Sequence, residues 1–291
     1  MRMRKTVRFL LAAAAAATLG LTGLAAPASA SVLDIPPRGA NDWSCKPDAA
    51  HPQPVVLVNG TFKLMAENWA KLSPKLKEEG YCVFAFNYGH LETDPIPQSA
   101  VELRDFVEAV RGATGAAKVD IVGHSQGGML PRYYVKFLGG ADKVDDLVGI
   151  VPSNHGTKNP LAIPAGWTIC PSCVDQQYGS DLLKKLNEGT ETPAGPDYTV
   201  ITTKYDEIVV PYTSALLTGP AEHVTNIVLQ DKCPLDLYMH DQATKDPVVA
   251  QWVLNALQHE GPADPGFQPR CGRPPRRRCA DRRRRHRDDQ V

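Results

Sequence analysis

The chain has 291 residues, 43% of them hydrophobic, and balances 32 basic against 32 acidic side chains for a formal net charge of zero. The balance is uneven: residues 1–30 hold four Lys/Arg and residues 272–291 hold nine Arg against three Asp, so the stretch between them is acidic by ten charges. An acidic domain of that size excludes nucleic acid as a natural partner.

Residues 1–30 run from a basic start, Met1 to Arg8, through an apolar Leu/Ala stretch to Ala28-Ser29-Ala30. This is the layout of a secretory signal peptide cleaved after Ala30. A membrane anchor is the alternative, disfavoured by the small residues and the A-x-A site. No later segment approaches the ~20 apolar residues that span a bilayer, so the mature protein is expected to be secreted and to lack a transmembrane segment.

The run Pro54–Val58, closed by Asn59-Gly60, reads as a buried strand entering a tight loop. Ala66–Lys77 reads as a helix with Trp69, Leu72 and Leu76 on one apolar face. Tyr81–Phe86 is a second strand, Gln98–Arg111 a second amphipathic helix, and Lys118–Val122 a third strand; a helix follows over Gly128–Leu138. Further strands fall at Leu147–Val151, Tyr198–Thr202 and His223–Leu229, with a closing helix at Pro247–Leu257. Residues 272–291 have almost no apolar side chain and read as a disordered Arg-rich tail. Alternating strands and helices predict one α/β domain over 31–271, a mostly parallel sheet with helices on both faces.

Between the third strand and its helix stands Gly123-His124-Ser125-Gln126-Gly127, a G-x-S-x-G sequence in the strand-turn-helix context that gives it meaning. Gly123, His124 and Gly127 form the elbow, and Ser125 is the candidate nucleophile. A serine needs a base, and the base needs an acid to orient it. Asp206, just beyond Tyr198–Thr202, is the candidate acid, with Glu207 beside it. Of the downstream histidines only His240 follows the last strand, because His223 begins that strand, His259 ends the final helix and His286 lies in the tail. Oxyanion donors are expected from the amides of Gln126 and Thr61. Asn59-Gly60-Thr61 also matches an N-glycosylation acceptor, discounted because its loop should border the site. His51, His90 and His155 read as structural, with His155 placed to line the crevice. No His, Asp or Cys spacing fits a metal, and no nucleotide-binding glycine motif is present, so no metal or cofactor is expected.

Seven cysteines in an exported chain point to disulfides. Cys45 and Cys82 flank neighbouring core elements. Cys170-Pro-Ser-Cys173 has the spacing of a redox or zinc motif, but it lacks a second ligand pair and reads better as a short-loop disulfide. Cys233 with Cys271 would be the third pair, leaving Cys279 unmatched. The segment His155–Ser180 reads either as a short lid, with Leu161, Ile163, Trp167 and Ile169 suited to an acyl chain, or as an ordinary surface loop.

From Trp43 to Cys271 the blocks WSCKP, VLVNGTF, NWAKLSP, GYCVFAFNYG, VDIVGHSQGGMLPRYYVKFLGG, CPSCVDQQYGSDLL, YDEIVVPYTS and NIVLQDKCPLDL resemble the secreted class 2 lipases and esterases of actinobacteria, in the α/β-hydrolase superfamily. The resemblance implies an α/β-hydrolase fold, the set Ser125, Asp206 and His240, and the pairs Cys45–Cys82, Cys170–Cys173 and Cys233–Cys271. SQGG and DEIVVP are also similar to segments of the yeast-type lipase B fold, whose threonine and glutamine form the oxyanion hole. The chain departs from the pattern at Asn59-Gly60, where relatives often have His-Gly, and in its arginine tail. The function expected is a secreted, monomeric serine ester hydrolase acting on acyl esters or triacylglycerols, at a lipid–water interface in the latter case. The alternatives are an acyltransferase or polyester hydrolase with the same residues and, further off, a non-catalytic binding protein.

Overall fold

A computed structural model describes residues 34–159 and 169–272. The expectations for the signal segment, for Cys279 and the rest of the tail beyond Gly272, and for Leu161, Ile163 and Trp167 lie outside the described residues.

In chain order the elements are β1 (Val55–Val58), α1 (Met65–Asn68), α2 (Leu72–Glu78), β2 (Val83–Phe86), a single turn α3 (Gly89–Glu92), α4 (Ile96–Thr114), β3 (Val119–His124), α5 (Gln126–Phe137) and β4 (Val144–Ile150). They continue with α6 (Pro171–Asp175), α7 (Asp181–Asn187), β5 (Asp197–Thr202), β6 (Val224–Val228), α8 (Leu229–Lys232) and α9 (Pro247–Leu257). Six strands form one parallel sheet in the order β2-β1-β3-β4-β5-β6. Every residue of β1 is fully buried, and successive side chains go to opposite faces. Val55 and Leu57 join Trp69, Leu76 and Trp252 under α1, α2 and α9; Val56 and Val58 join Leu103, Val107 and Met129 under α4 and α5.

The helix expected at Ala66–Lys77 is instead broken into α1 and α2. Pro74 supplies the reason: a continuous helix would need its missing N–H and would press its ring on the Ala70 carbonyl, whereas in the first turn of α2 neither matters. Trp69, at the break, is turned inward so that its indole N–H donates to Asn59 Oδ1 at 2.7 Å. Helix α4 runs longer than expected at both ends, from Pro97 in its first turn to a left-handed Gly115 cap. Periodicity does not reveal α6 and α7, which are too short to show a repeat.

The turn α3 has φ values of 51°, 45°, 62° and 61° at Gly89, His90, Leu91 and Glu92, so it is wound left-handed. Such a conformation costs roughly 1–2 kcal/mol per non-glycine residue and persists only where the surroundings enforce it.

The strand order reverses direction around β1, with β2 on one side and β3 on the other. The loops leaving the C-terminal ends of β1 and β3 therefore diverge and open a crevice between them. These are the loops that carry Thr61 and Ser125.

Candidate active site

Ser125 sits between β3 and α5 with φ 55° and ψ −120°, outside the comfortable range of an L-residue. Two glycines make the turn possible. A Cβ on Gly123 would collide with the Gly127 carbonyl, and one on Gly127 would collide with the Val58 and Asn59 carbonyls. With those contacts relieved, the Ser125 hydroxyl stands at the N-terminus of a twelve-residue helix, where backbone N–H groups favour negative charge.

His240 Nε2 lies 2.8 Å from Ser125 Oγ, and His240 Nδ1 lies 2.9 Å from each carboxylate oxygen of Asp206. Asp206 Oδ1 also accepts the backbone N–H groups of Ile208 at 2.9 Å and Val209 at 2.7 Å, which fix its rotamer. All three side chains are buried. Glu207 is a separate support, because its Oε2 accepts the His240 backbone N–H at 3.1 Å.

His124 packs 5.1 Å from the His240 ring, centre to centre. Burial, followed by the neighbouring His240, lowers its pKa to about 3, so it is neutral. Its Nε2 is 3.1 Å from the His240 carbonyl and its Nδ1 is 3.0 Å from Asn68 Oδ1. A neutral ring donates only once, and the Asn68 Nδ2 has no partner among the described residues. Turning the Asn68 amide over pairs Nδ2 with His124 Nδ1 and lets Nε2–H donate to the His240 carbonyl, at the cost of the Gly60 N–H that Asn68 Oδ1 accepts at 3.5 Å. His124 thereby holds the His240 backbone in place.

Among the described residues, neither the Thr61 nor the Gln126 backbone N–H has an acceptor. Their side chains are tied together, with the Thr61 hydroxyl donating to Gln126 Oε1 at 2.7 Å. Gln176, just after α6, donates from Nε2 to both Thr61 Oγ1 at 3.1 Å and Gln126 Oε1 at 2.8 Å, while its Oε1 accepts from Ser153 Oγ at 2.8 Å. A cavity of about 250 Å³ opens over Ser125, lined by Thr61, Phe62, Cys173, Gln176, Val209 and His240 among others. Lys63 Nζ and Asp241 Oδ2, 3.2 Å apart, link its two sides.

Asn59 is fully buried, with its side-chain amide donating to the Phe86 carbonyl at 3.1 Å, which leaves no room for a glycan. His155 does not line this cavity; it bonds Ser214 O and Glu191 beside a shallower depression. Ile169 is largely exposed and does not line the cavity either. His51 packs edge-on against Tyr81, and His90 pairs with Asp94 at the surface. Cysteines 45 and 82, 170 and 173, and 233 and 271 are bonded. The roles of Glu207, Gln176 and Asn68 carry no motif in the sequence. Among the described residues no helix is long and apolar enough to cross a membrane.

The model of the class 2 lipase family matches residues 52–253, a span that contains Ser125, Asp206 and His240. A triacylglycerol lipase of Burkholderia plantarii is 33% identical over 138 residues, 45% of this chain and 37% of that protein. One of Pseudarthrobacter phenanthrenivorans is 36% identical over 91 residues, 29% of this chain and 28% of that protein. The chain thus matches about a third of the length of these relatives. Among solved structures, Aspergillus fumigatus lipase B superposes with a TM-score of 0.68 at 23% identity, covering 80% of this chain and 57% of that one. A Bacillus licheniformis lipase in its mature form gives 0.57 at 15% identity, covering 73% and 94%. The fold is that of the α/β-hydrolases, and the chain belongs to the class 2 lipase family.

Proposed function

We propose that this protein is a serine ester hydrolase that cleaves acyl esters, triacylglycerols included, through an acyl-enzyme. The observation that carries the reading is the chain of contacts from Ser125 Oγ through His240 to Asp206, built on a strained elbow and opening into a cavity. His240 Nε2 takes the hydroxyl proton as Ser125 Oγ attacks the ester carbonyl, and Asp206 stabilises the imidazolium that forms. The carbonyl oxygen becomes an oxyanion held by the amides of Thr61 and Gln126. Collapse expels the alcohol, which receives the proton from His240. Water then repeats the sequence on the acyl-enzyme, releasing the carboxylic acid and restoring Ser125.

Family membership and the triacylglycerol lipase activity of the relatives support an ester substrate. The apolar lining from Phe62 and Val209 suits an acyl chain. Three disulfides fit an oxidising, extracellular setting. Residues 1–30 are accordingly proposed as an export signal, and residues 31–271 as the catalytic domain of a monomer. Ser125→Ala should stay folded, lose ester hydrolysis by roughly 10³-fold or more, and no longer take up a serine-reactive phosphonate. Retained labelling would refute the assignment. A chain-length series of p-nitrophenyl esters on the wild type then identifies the preferred acyl group.

A further inference from the structure

We propose that Glu92 is a positioning residue for this reaction: from the left-handed turn α3 it braces the loop Asn59–Lys63, and so the Thr61 amide, against the site of Ser125. The inference rests on the oxyanion role given to Thr61 above.

Glu92 is fully buried although it carries a carboxyl group. Its Oε1 accepts from Asn59 Nδ2 at 3.3 Å, and the Lys63 and Tyr88 backbone N–H groups also face the carboxyl. The neighbouring Leu91 carbonyl accepts the Phe62 N–H at 3.1 Å, and Tyr88 Oη donates to the Asn59 carbonyl at 2.8 Å. Loop residues on both sides of Thr61 are therefore held by one turn. That turn is held from behind by the segment closed by the Cys170–Cys173 disulfide. Ser172 Oγ donates to the Glu92 carbonyl at 2.8 Å, Ser172 N to the Thr93 carbonyl at 3.0 Å, and Asp175 accepts the Ile96 N–H at 2.9 Å. Three successive non-glycine residues in the left-handed region would not persist without such anchoring on both faces. Strain concentrated beside a reaction centre is a mark of function, and here it aims the Leu91 carbonyl and the Glu92 carboxyl at the same loop.

A carboxyl group is a specific choice for this position. Burial pushes the Glu92 pKa up to about 8, so the group is a neutral acid at pH 7. Its Oε2 has no partner among the described residues. The titratable groups around it are Tyr88 from its own segment, Glu102 on α4, Lys63 on the braced loop with its ammonium engaged by Asp241, Asp175 on α6, and the His90–Asp94 pair at the surface. Of these Glu102 raises the pKa further. Among the described residues no cationic side chain pairs with Glu92 to stabilise its ionised form. Losing the proton above about pH 8 places a buried charge without a counter-ion beneath the loop; it draws the Asn59 and Lys63 N–H groups toward itself and so shifts the Thr61 amide between them. Because the folded pKa is raised above the unfolded value, the fold also loses stability as pH rises from about 4.5 to about 8 and no further beyond.

The test measures kcat and KM on p-nitrophenyl butyrate from pH 6 to 9.5, with thermal unfolding at each pH, for wild type, Glu92→Gln, Glu92→Ala and Ser125→Ala. Glutamine mimics the neutral acid, so Glu92→Gln should keep kcat within about threefold at pH 7 and lack an alkaline decline that the wild type shows. Glu92→Ala, assayed below its unfolding temperature, should lose kcat about tenfold or more with KM changed less than about twofold, since a misaimed donor acts on the transition state. Wild-type kcat in folded Glu92→Ala, or the same alkaline decline in wild type and Glu92→Gln, would overturn the proposal. Should Glu92→Ala not fold, the Glu92→Gln profile decides alone. Full activity in Ser125→Ala would instead defeat the nucleophile assignment, independently of the Glu92 variants.

Discussion

The two edges of the sheet both bury carboxylates and treat them in opposite ways. At the C-terminal edge, Asp206 accepts two backbone N–H groups and faces the His240 ring with both oxygens. At the N-terminal edge, Asp120 on β3 faces Asp145 and Asp146 across a register shift in β4, with carboxylate oxygens within 4.8 Å of one another. Lys118 Nζ and Gln53 engage Asp145 at 2.9 Å and 2.7 Å, whereas among the described residues Asp120 accepts only the Asp146 N–H, at 3.2 Å. Burial and the neighbouring carboxylates raise Asp120 to about 8 and Asp146 well above its ordinary value. The lesson is that depth alone does not decide whether a buried acid is useful as an anion. What faces the group matters as well: N–H donors and the His240 ring at Asp206, further carboxylates at Asp120 and Asp146.

Four substitutions test that contrast. The largest effect is expected from Asp206→Asn, which keeps the shape but removes the charge proposed to orient and stabilise His240; kcat should fall roughly 10³- to 10⁴-fold with the fold intact. Steady-state kinetics beside a circular dichroism spectrum checks it, and a loss below about tenfold would mean the edge is not organised for catalysis. Gly127→Ala comes next. Its Cβ would overlap the Val58 and Asn59 carbonyls, with no flexible side chain to give way, so unfolding stability should drop by about 3 kcal/mol or more, read from denaturant midpoints.

Asp146→Asn should act in the opposite direction and depend on pH. An acid whose folded pKa is raised destabilises the fold progressively as pH climbs from its unfolded value near 4 to its folded value. The variant should match wild type at pH 4 and exceed it at pH 8, read from denaturant midpoints at the two pH values. Equal stability at both pH values would show that the lower edge is not frustrated. The smallest effect belongs to the exposed pair Lys184 and Asp181 on α7, 3.0 Å apart. Lys184→Ala should move the unfolding temperature by no more than about 1 °C, since solvent screens such pairs.

Much of this was legible along the chain. Strand residues announced themselves because a parallel sheet covered on both faces demands apolar runs; β1 and β2 read that way without a break, and β3 does so apart from Asp120. The elbow was legible because its glycines are required by contacts with the adjoining strand and helix, all within a few residues of Ser125. Asp206 and His240 could be placed by their order after particular strands. The broken helix at residues 65–78 was misread because Trp69 and Leu72 keep an apolar period across the break, while Pro74 enforces it. The left-handed turn at α3 left no signature either: Leu91 and Glu92 are not residues that favour positive φ, and their anchors on neighbouring loops hold them there.

The sequence by itself determined the layered α/β architecture, the elbow and the set of candidate side chains, because each follows from local sterics or from strand order. Tertiary structure alone decided which groups support them. Gln176 reaches Thr61 across 115 residues and His124 reaches the His240 carbonyl across 116. Asp120 meets Asp146 only because β3 and β4 lie side by side. Hydrogen bonds and charge repulsion act over a few ångströms of space, and no spacing along the chain records which distant residues folding will bring within that range.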